Sequence, residues 1–195
     1  IIEAFFDSDN KWYDLPAGWY VVEGDVTITP RLDTHGAVNL ILKDDCHLTV
    51  PWGINVKEGD TFTIYAQSTA EASMGKLTAC LPELSDHEKS VWPVAGLSGI
   101  GAGVRVWAAN DNFYENEGTI IINGGNIHAK GQQGSSAIGG SDYDCNVSSD
   151  GDTPGNLRQG GSITINGGTV KASSEGDGFG IGGAGVHHTA EMHIT

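Results

Sequence analysis

Apolar and polar residues alternate with a period of two along most of this chain. Val38, Leu40 and Leu42 share one side of a run in which Ile41 faces the other way. Val26 with Ile28, Leu48 with Val50, Ile54 with Val56, and Phe62 with Ile64 repeat the pattern. Such alternation predicts short strands with one buried face. Residues suited to turns separate them: Asp44-Asp45, Pro51, Gly53 and Glu58-Gly59-Asp60. No helix is strongly signalled; one short helical turn is expected from Leu84 to Lys89, capped by Ser85.

The alternation is organised by a repeat. The segment from Gly118 to Ser141 recurs without a gap from Gly161 to Ala184, at an offset of 43 residues, with ten of 24 pairs identical. Each copy places alternating apolar residues (Ile120, Ile122, then Ile127, Ala129, then Ile138) between Gly-rich corners. Gly124-Gly125 and Gly167-Gly168 supply corners where positive φ is allowed. Three short strands per copy describe one coil of a parallel β-helix, a unit that buries its apolar face only by stacking on another. Asn123 and Asn166 occupy equivalent corners, where stacked amides would bond to neighbouring backbone. Leu77 and Ala79 correspond to Ile127 and Ala129, and Ser98 to Gly103 corresponds to Ser136 to Ser141. Met192, His193, Ile194 and Thr195 align with Ile163 to Asn166 as the start of a third copy.

The expected fold is therefore all-β: a right-handed parallel β-helix, a solenoid of about five or six coils with loop insertions on one side. The hand follows the usual crossover preference of parallel strands. Insertions are expected near 81–93 and over 142–160, leaving from corresponding corners. At 195 residues the chain reads as one domain, with 1–24 as an N-terminal cap region and 25–195 as stacked coils. Because the third copy stops as its first strand finishes, a fragment of a longer protein is expected.

Charge narrows the partners. With 25 acidic and 10 basic residues, the net charge of −15 repels nucleic-acid phosphates and anionic lipid head groups. No basic cluster or basic-aromatic stripe is apparent, and no stretch is long and apolar enough for a membrane helix. Ile1-Ile2-Glu3 lacks the basic start and apolar run of a signal peptide, which fits a mature or excised domain. Three cysteines, Cys46, Cys80 and Cys145, do not describe a disulfide framework and read as buried or half-buried thiols.

Candidate chemistry lies in the insertions. Asp142, Asp144, Asp150 and Asp152 stand among Gly and Asn and could wrap oxygen ligands around calcium, although the segment has no EF-hand spacing. A solvated acidic loop is the alternative. Trp92, Trp107, Tyr114 and Tyr143, with Phe113, sit in or beside insertions and are candidates to contact a ligand. Trp12, Tyr13, Trp19 and Tyr20 either stack on sugar rings or cap the end of the coil stack, and the cap is preferred. His187, His188 and His193 form a small cluster, but adjacent strand residues point to opposite faces. No nucleophile elbow, zinc-protease, P-loop or dinucleotide motif is present.

At its ITINGG and IGG elements the chain resembles β-helical repeat domains of secreted or wall-bound proteins of gut-type Firmicutes. These are described as carbohydrate-binding or adhesin-like. The segments GWYVVEGDVTI, VNLILKDDCHLTV and DTFTIYAQS strengthen the resemblance, which covers most of residues 18 to 195. It implies an extracellular, non-catalytic module of a bacterial cell surface, binding a glycan or a host surface protein, with calcium as a candidate cofactor. It transfers no site residue, because the shared residues are structural. Two alternatives stay open: a stalk that presents other domains, and a polysaccharide lyase or glycosidase of the β-helix type. Against the latter, the Asn-Thr-Asp, Gly-His-Gly and Arg-Ile-Lys signatures are absent, and only the pair Asp44-Asp45 recurs.

Overall fold

A computed structural model describes residues 12–80, 97–102, 104–107, 111–114, 116–132, 135–140, 159–174, 178–183 and 189–194. Each coil has three faces. The first coil runs through β1 (Trp12–Val22) and β2 (Asp25–Thr27), the second through β3 (Arg31–Leu42) and β4 (His47–Thr49). The third contains β5 (Ile54–Asn55), β6 (Thr61–Ala66) and β7 (Lys76–Cys80). The fourth begins at β8 (Ile100–Gly101), departs into β9 (Val104–Trp107) and β10 (Asp111–Tyr114), then returns to β11 (Thr119–Ile122) and β12 (Asn126–Gly131). The fifth holds β13 (Ile138–Gly139), β14 (Gln159–Ile165) and β15 (Thr169–Ser174); β16 (Ile181–Gly182) and β17 (Thr189–Ile194) begin a sixth. No helix occurs among the described residues.

Among the described residues every strand pairing between coils is parallel, with register shifts in β1 and β14, and one isolated antiparallel bridge joins Lys57 to Glu117. The first face stacks the N-terminal halves of β1 and β3 on β5, β8, β13 and β16. The second stacks their C-terminal halves on β6, β11, β14 and β17. The third is β2, β4, β7, β12 and β15. In the first two coils one long strand bends through two faces, and β1 marks the corner with a register shift between Pro16 and Gly18.

Stacking converts the sequence alternation into interior columns. Leu32, Ile54, Ile100, Ile138 and Ile181 lie over one another on the first face; Val38, Phe62, Ile120 and Ile163 do so on the second. Leu48, Leu77 and Ile127 form a column on the third. Except for Ile181, these side chains are buried, and they form one continuous core. At the N-terminal end Tyr13 and Tyr20 pack against that core. Residues 12–22, expected within a cap region, are a full strand of the first coil, paired along its length with β3. The expected alignment of Met192, His193 and Ile194 with Ile163, Thr164 and Ile165 is the register of β17 on β14.

As expected, each Gly-Gly corner uses positive φ, at its second glycine (Gly125, 103°; Gly168, 93°). Two other details differ from expectation. The Asn166 amide donates to the Asn123 side-chain oxygen at 2.7 Å, whereas backbone partners were expected. The long intervals do not share one corner either. That between Cys80 and Leu97 joins the third face to the first; those after Ala102 and Gly140 join the first to the second. All flank the short first face. An antiparallel pairing of β9 with β10 occupies one of them. The segment 84–89 lies outside the described residues.

One column on the first face, Asp33, Asn55, Gly101, Gly139 and Gly182, has two positions that admit no side chain. Gly101 and Gly139 have φ of 140° and 127°, and a Cβ at either would sit 2.0 Å from the carbonyl oxygen of the next coil's glycine. Gly139→Ala is therefore expected to destabilise by about 3 kcal/mol or more, lowering the melting temperature by roughly 6–12 °C. Gly24→Ala, at φ 69° with no atom within 4 Å of the added Cβ, should cost only about 1–2 kcal/mol. Thermal melting followed by circular dichroism compares the two.

Candidate functional site

Strand alternation that buries one side of each coil exposes the other, so each face has an outer surface. On the second face, Trp19 and Val21 of β1 point outward, 64% and 43% exposed. Trp19 pairs with Asn39, and Asn39 with Thr63; Val21 pairs with Ile41, and Ile41 with Tyr65. The Trp19 and Tyr65 rings bridge these rows, stacked with centroids 5.4 Å apart and planes 27° apart. A large aromatic that contributes to no core, held by a second ring on a rigid sheet, is preorganised to meet a flat partner. Asn39, half-buried, places a hydrogen-bonding group beside it.

The expected division of the N-terminal aromatics between cap and ligand contact is thus split by strand parity. Tyr13 and Tyr20 cover the core. Burial pushes the Tyr20 phenol up, with Tyr13 adding to the shift, and its hydroxyl donates to the Pro16 carbonyl at 2.8 Å. Trp19, one residue away, faces solvent. Sequence reading put both on one footing; the signal that separates them is the alternation of Val22 and Tyr20 with Val21 and Trp19.

A polar node occupies the corner between the first and second faces. Asp14, Asp33 and His35 lie within 4.8 Å of one another, a set able to hold a cation. Lys57 already supplies positive charge there: its Nζ lies 3.3 Å from Asp33 Oδ1, 3.8 Å from Asp60 Oδ2 and 3.4 Å from His35 Nδ1. The His35 Nε2 is 3.0 Å from Asp14 Oδ1, and Asn55 donates to Asp33 at 2.8 Å. Asp60 accepts from the Gly36 N–H at 2.6 Å, pinning the bend of β3 in the preceding coil. Asp33 is fully buried, so its ammonium and amide partners offset a desolvation cost that would otherwise be several kcal/mol. Geometry and partners describe a structural ion-pair network.

Arg31 is handled similarly. It is 2% exposed, and its guanidinium donates to the carbonyls of Trp52, Ser98, Ile54 and Gly101 across three coils. Glu117, at the same corner as Lys57, is 6% exposed and accepts from the Gly161 N–H at 3.1 Å. Desolvation pushes its carboxyl up to about 7, against a smaller opposing effect of the Gly161 bond.

Of the expected site residues, Trp107 and Tyr114 fall on β9 and β10, where Trp107 opposes Asp111 and Tyr114 opposes Val104, at opposite ends of the ladder. Trp92, Tyr143, Asp142, Asp144, Asp150 and Asp152 lie outside the described residues, as do Cys145, His187 and His188. Cys46 and Cys80 are free thiols, buried and half-buried, and burial pushes both upward, so neither is poised as a nucleophile.

Two segments, residues 120–142 and 163–185, match the family model of a beta helix repeat. They are the repeated strands of the fourth and fifth coils, at the same 43-residue offset. Together with the in-register parallel sheets, they define this chain as a β-helical repeat domain. No curated protein and no solved structure matches it significantly.

The Glu117 carboxyl gives a pH signature. Between its ordinary value of 4.5 and about 7, the folded chain retains a proton that the unfolded chain has released, so stability falls as pH rises through that window. The loss amounts to about 3 kcal/mol. Glu117→Gln should remove this slope and be more stable than wild type above about pH 7. The difference in melting temperature between the two proteins, followed from mildly acidic to mildly alkaline buffer, checks this.

Proposed function

We propose that this chain is a non-catalytic binding module of a bacterial secreted or cell-surface protein. Its second face receives a glycan through the Trp19–Tyr65 pair. The carrying observation is the exposure of Trp19 at 64% in a position that serves no core. A pyranose presents a flat face of C–H groups suited to such a ring, and the half-buried Asn39 lies in register beside Trp19 to bond a hydroxyl. The outward positions of this face in β1, β3, β6 and β11 carry no charged residue from Gly18 onward, which favours an uncharged sugar surface.

A binding role is also supported by the fate of the ionisable groups. Asp33, Lys57 and Asp60 are committed to one another at a corner, which leaves no opposed pair of carboxylates in a groove among them. Calcium, in this reading, would be held by Asp142, Asp144, Asp150 and Asp152. Trp92, Trp107, Tyr114 and Tyr143 would extend the contact from the insertions.

The test is a titration of the chain with neutral oligosaccharides, followed by tryptophan fluorescence. Wild type should show a saturable quench, and Trp19→Ala should weaken binding roughly tenfold or more, about 1.4 kcal/mol, with unchanged melting temperature. If no glycan alters the fluorescence, and a host-glycoprotein array is also blank, the spacer reading replaces this one.

A further inference from the structure

The outer surface of the third face carries charge of the sign the chain otherwise lacks. Inward residues of its strands are apolar, so His47 of β4, Lys76 of β7, His128 and Lys130 of β12, and Lys171 of β15 stand at outward positions. Asp25 of β2 is the one acidic residue at such a position among the described residues of this face. A chain with 25 acids and 10 bases thus gathers three of its lysines on one sheet.

Register joins these residues into a band. Lys76 lies beside His47, Lys171 beside His128, and Lys130 on the next row between Cys80 and Ser173. Neighbouring strands are about 4.8 Å apart, so the band crosses four coils at a regular step. The Cys80 thiol senses it: burial raises its pKa, while Lys130 and Lys171 both pull it down.

We propose that this third face is a docking surface for an acidic polysaccharide, whose carboxylate or sulfate groups meet Lys76, Lys130 and Lys171. The proposal rests on the reading of the chain as a glycan-binding module but uses a different face. Charge complementarity carries it. At physiological salt the Debye length is about 8 Å, so a ligand lying on this face feels the lysines rather than the net charge of −15. A protein partner would want a buried apolar or aromatic anchor, and outward positions here offer threonines, a serine and an asparagine instead. A DNA duplex, with one charge per about 1.7 Å, would drag phosphates across acidic flanks such as Asp44 and Asp45.

The experiment measures binding of the full chain to immobilised polygalacturonate, to a sulfated glycosaminoglycan, and to fully methyl-esterified pectin as the uncharged control. Retention on either charged polymer, reversed by salt and absent on the control, is expected. Retention on polygalacturonate alone assigns carboxylate as the recognised group, and retention on the sulfated polymer alone assigns sulfate. Lys76→Gln/Lys171→Gln, which changes only exposed outward positions and should melt as wild type does, is expected to lose affinity roughly tenfold or more. Trp19→Ala should retain it. Failure to bind either charged polymer, binding unchanged in the double variant, or equal affinity for duplex DNA would each overturn the proposal. Because the neutral-sugar titration depends on Trp19 and this one on the lysines, failure of one reading is distinguishable from failure of the other.

Discussion

Coil-on-coil register is the constraint on which the rest of this structure depends. Each coil hydrogen-bonds to the next through parallel strands whose register shifts only between Pro16 and Gly18 of β1 and between Gln159 and Ser162 of β14 among the described residues, so a residue type repeats above its equivalent about 4.8 Å away. Buried isoleucines and leucines gain from this because identical branched side chains nest. The same geometry forbids Cβ atoms at Gly101 and Gly139, where one coil's backbone meets the carbonyl of the next. It also brings Asn123 and Asn166 within 2.7 Å. A single slip would turn every inward side chain outward, so the two glycine positions that cannot tolerate a side chain help hold the register alongside the columns that need one.

The corners carry a different burden. Turning the chain between faces leaves backbone and side-chain polar groups inside the wall, and these must be paired. The protein does this with charge: Asp33 and Asp60 against Lys57, Arg31 against four carbonyls, and Glu117 against one amide of the next coil. Glu117 is the weakest compromise, a carboxyl whose Oε1 finds no hydrogen-bond partner among the described residues. Glu117 serves the wall, and its perturbed ionisation here marks architecture.

Because corners absorb so many charged groups, the outer faces are free to differ. The second face is uncharged at its outward positions from β1 to β11 and bears one stacked aromatic pair at its N-terminal end; the third is hydroxyl-rich and cationic. A solenoid offers such faces side by side on a rigid support, and insertions beside the first face add a third environment. Recognition on these faces would come from rows of residues crossing several coils, not from a single loop.

Much of this was legible in the sequence. Gapless repetition at 43 residues and alternation by two determined the strands, their inward residues and the stacking partners, including Met192 over Ile163, because period and register are local properties of the chain. The Gly-rich corners were legible because positive φ has few residues to choose from. Tertiary structure decided what depends on neighbours in other coils. Lys76, Lys130 and Lys171 are separated by dozens of residues and occupy different rows, so no cluster appears until coils are laid on one another. Trp19 and Tyr65 meet across an intervening strand, and the Asp14–Asp33–His35–Lys57 node draws on three successive coils. Alternation within a strand fixes which way a side chain points; only the closing of the coil fixes what stands beside it.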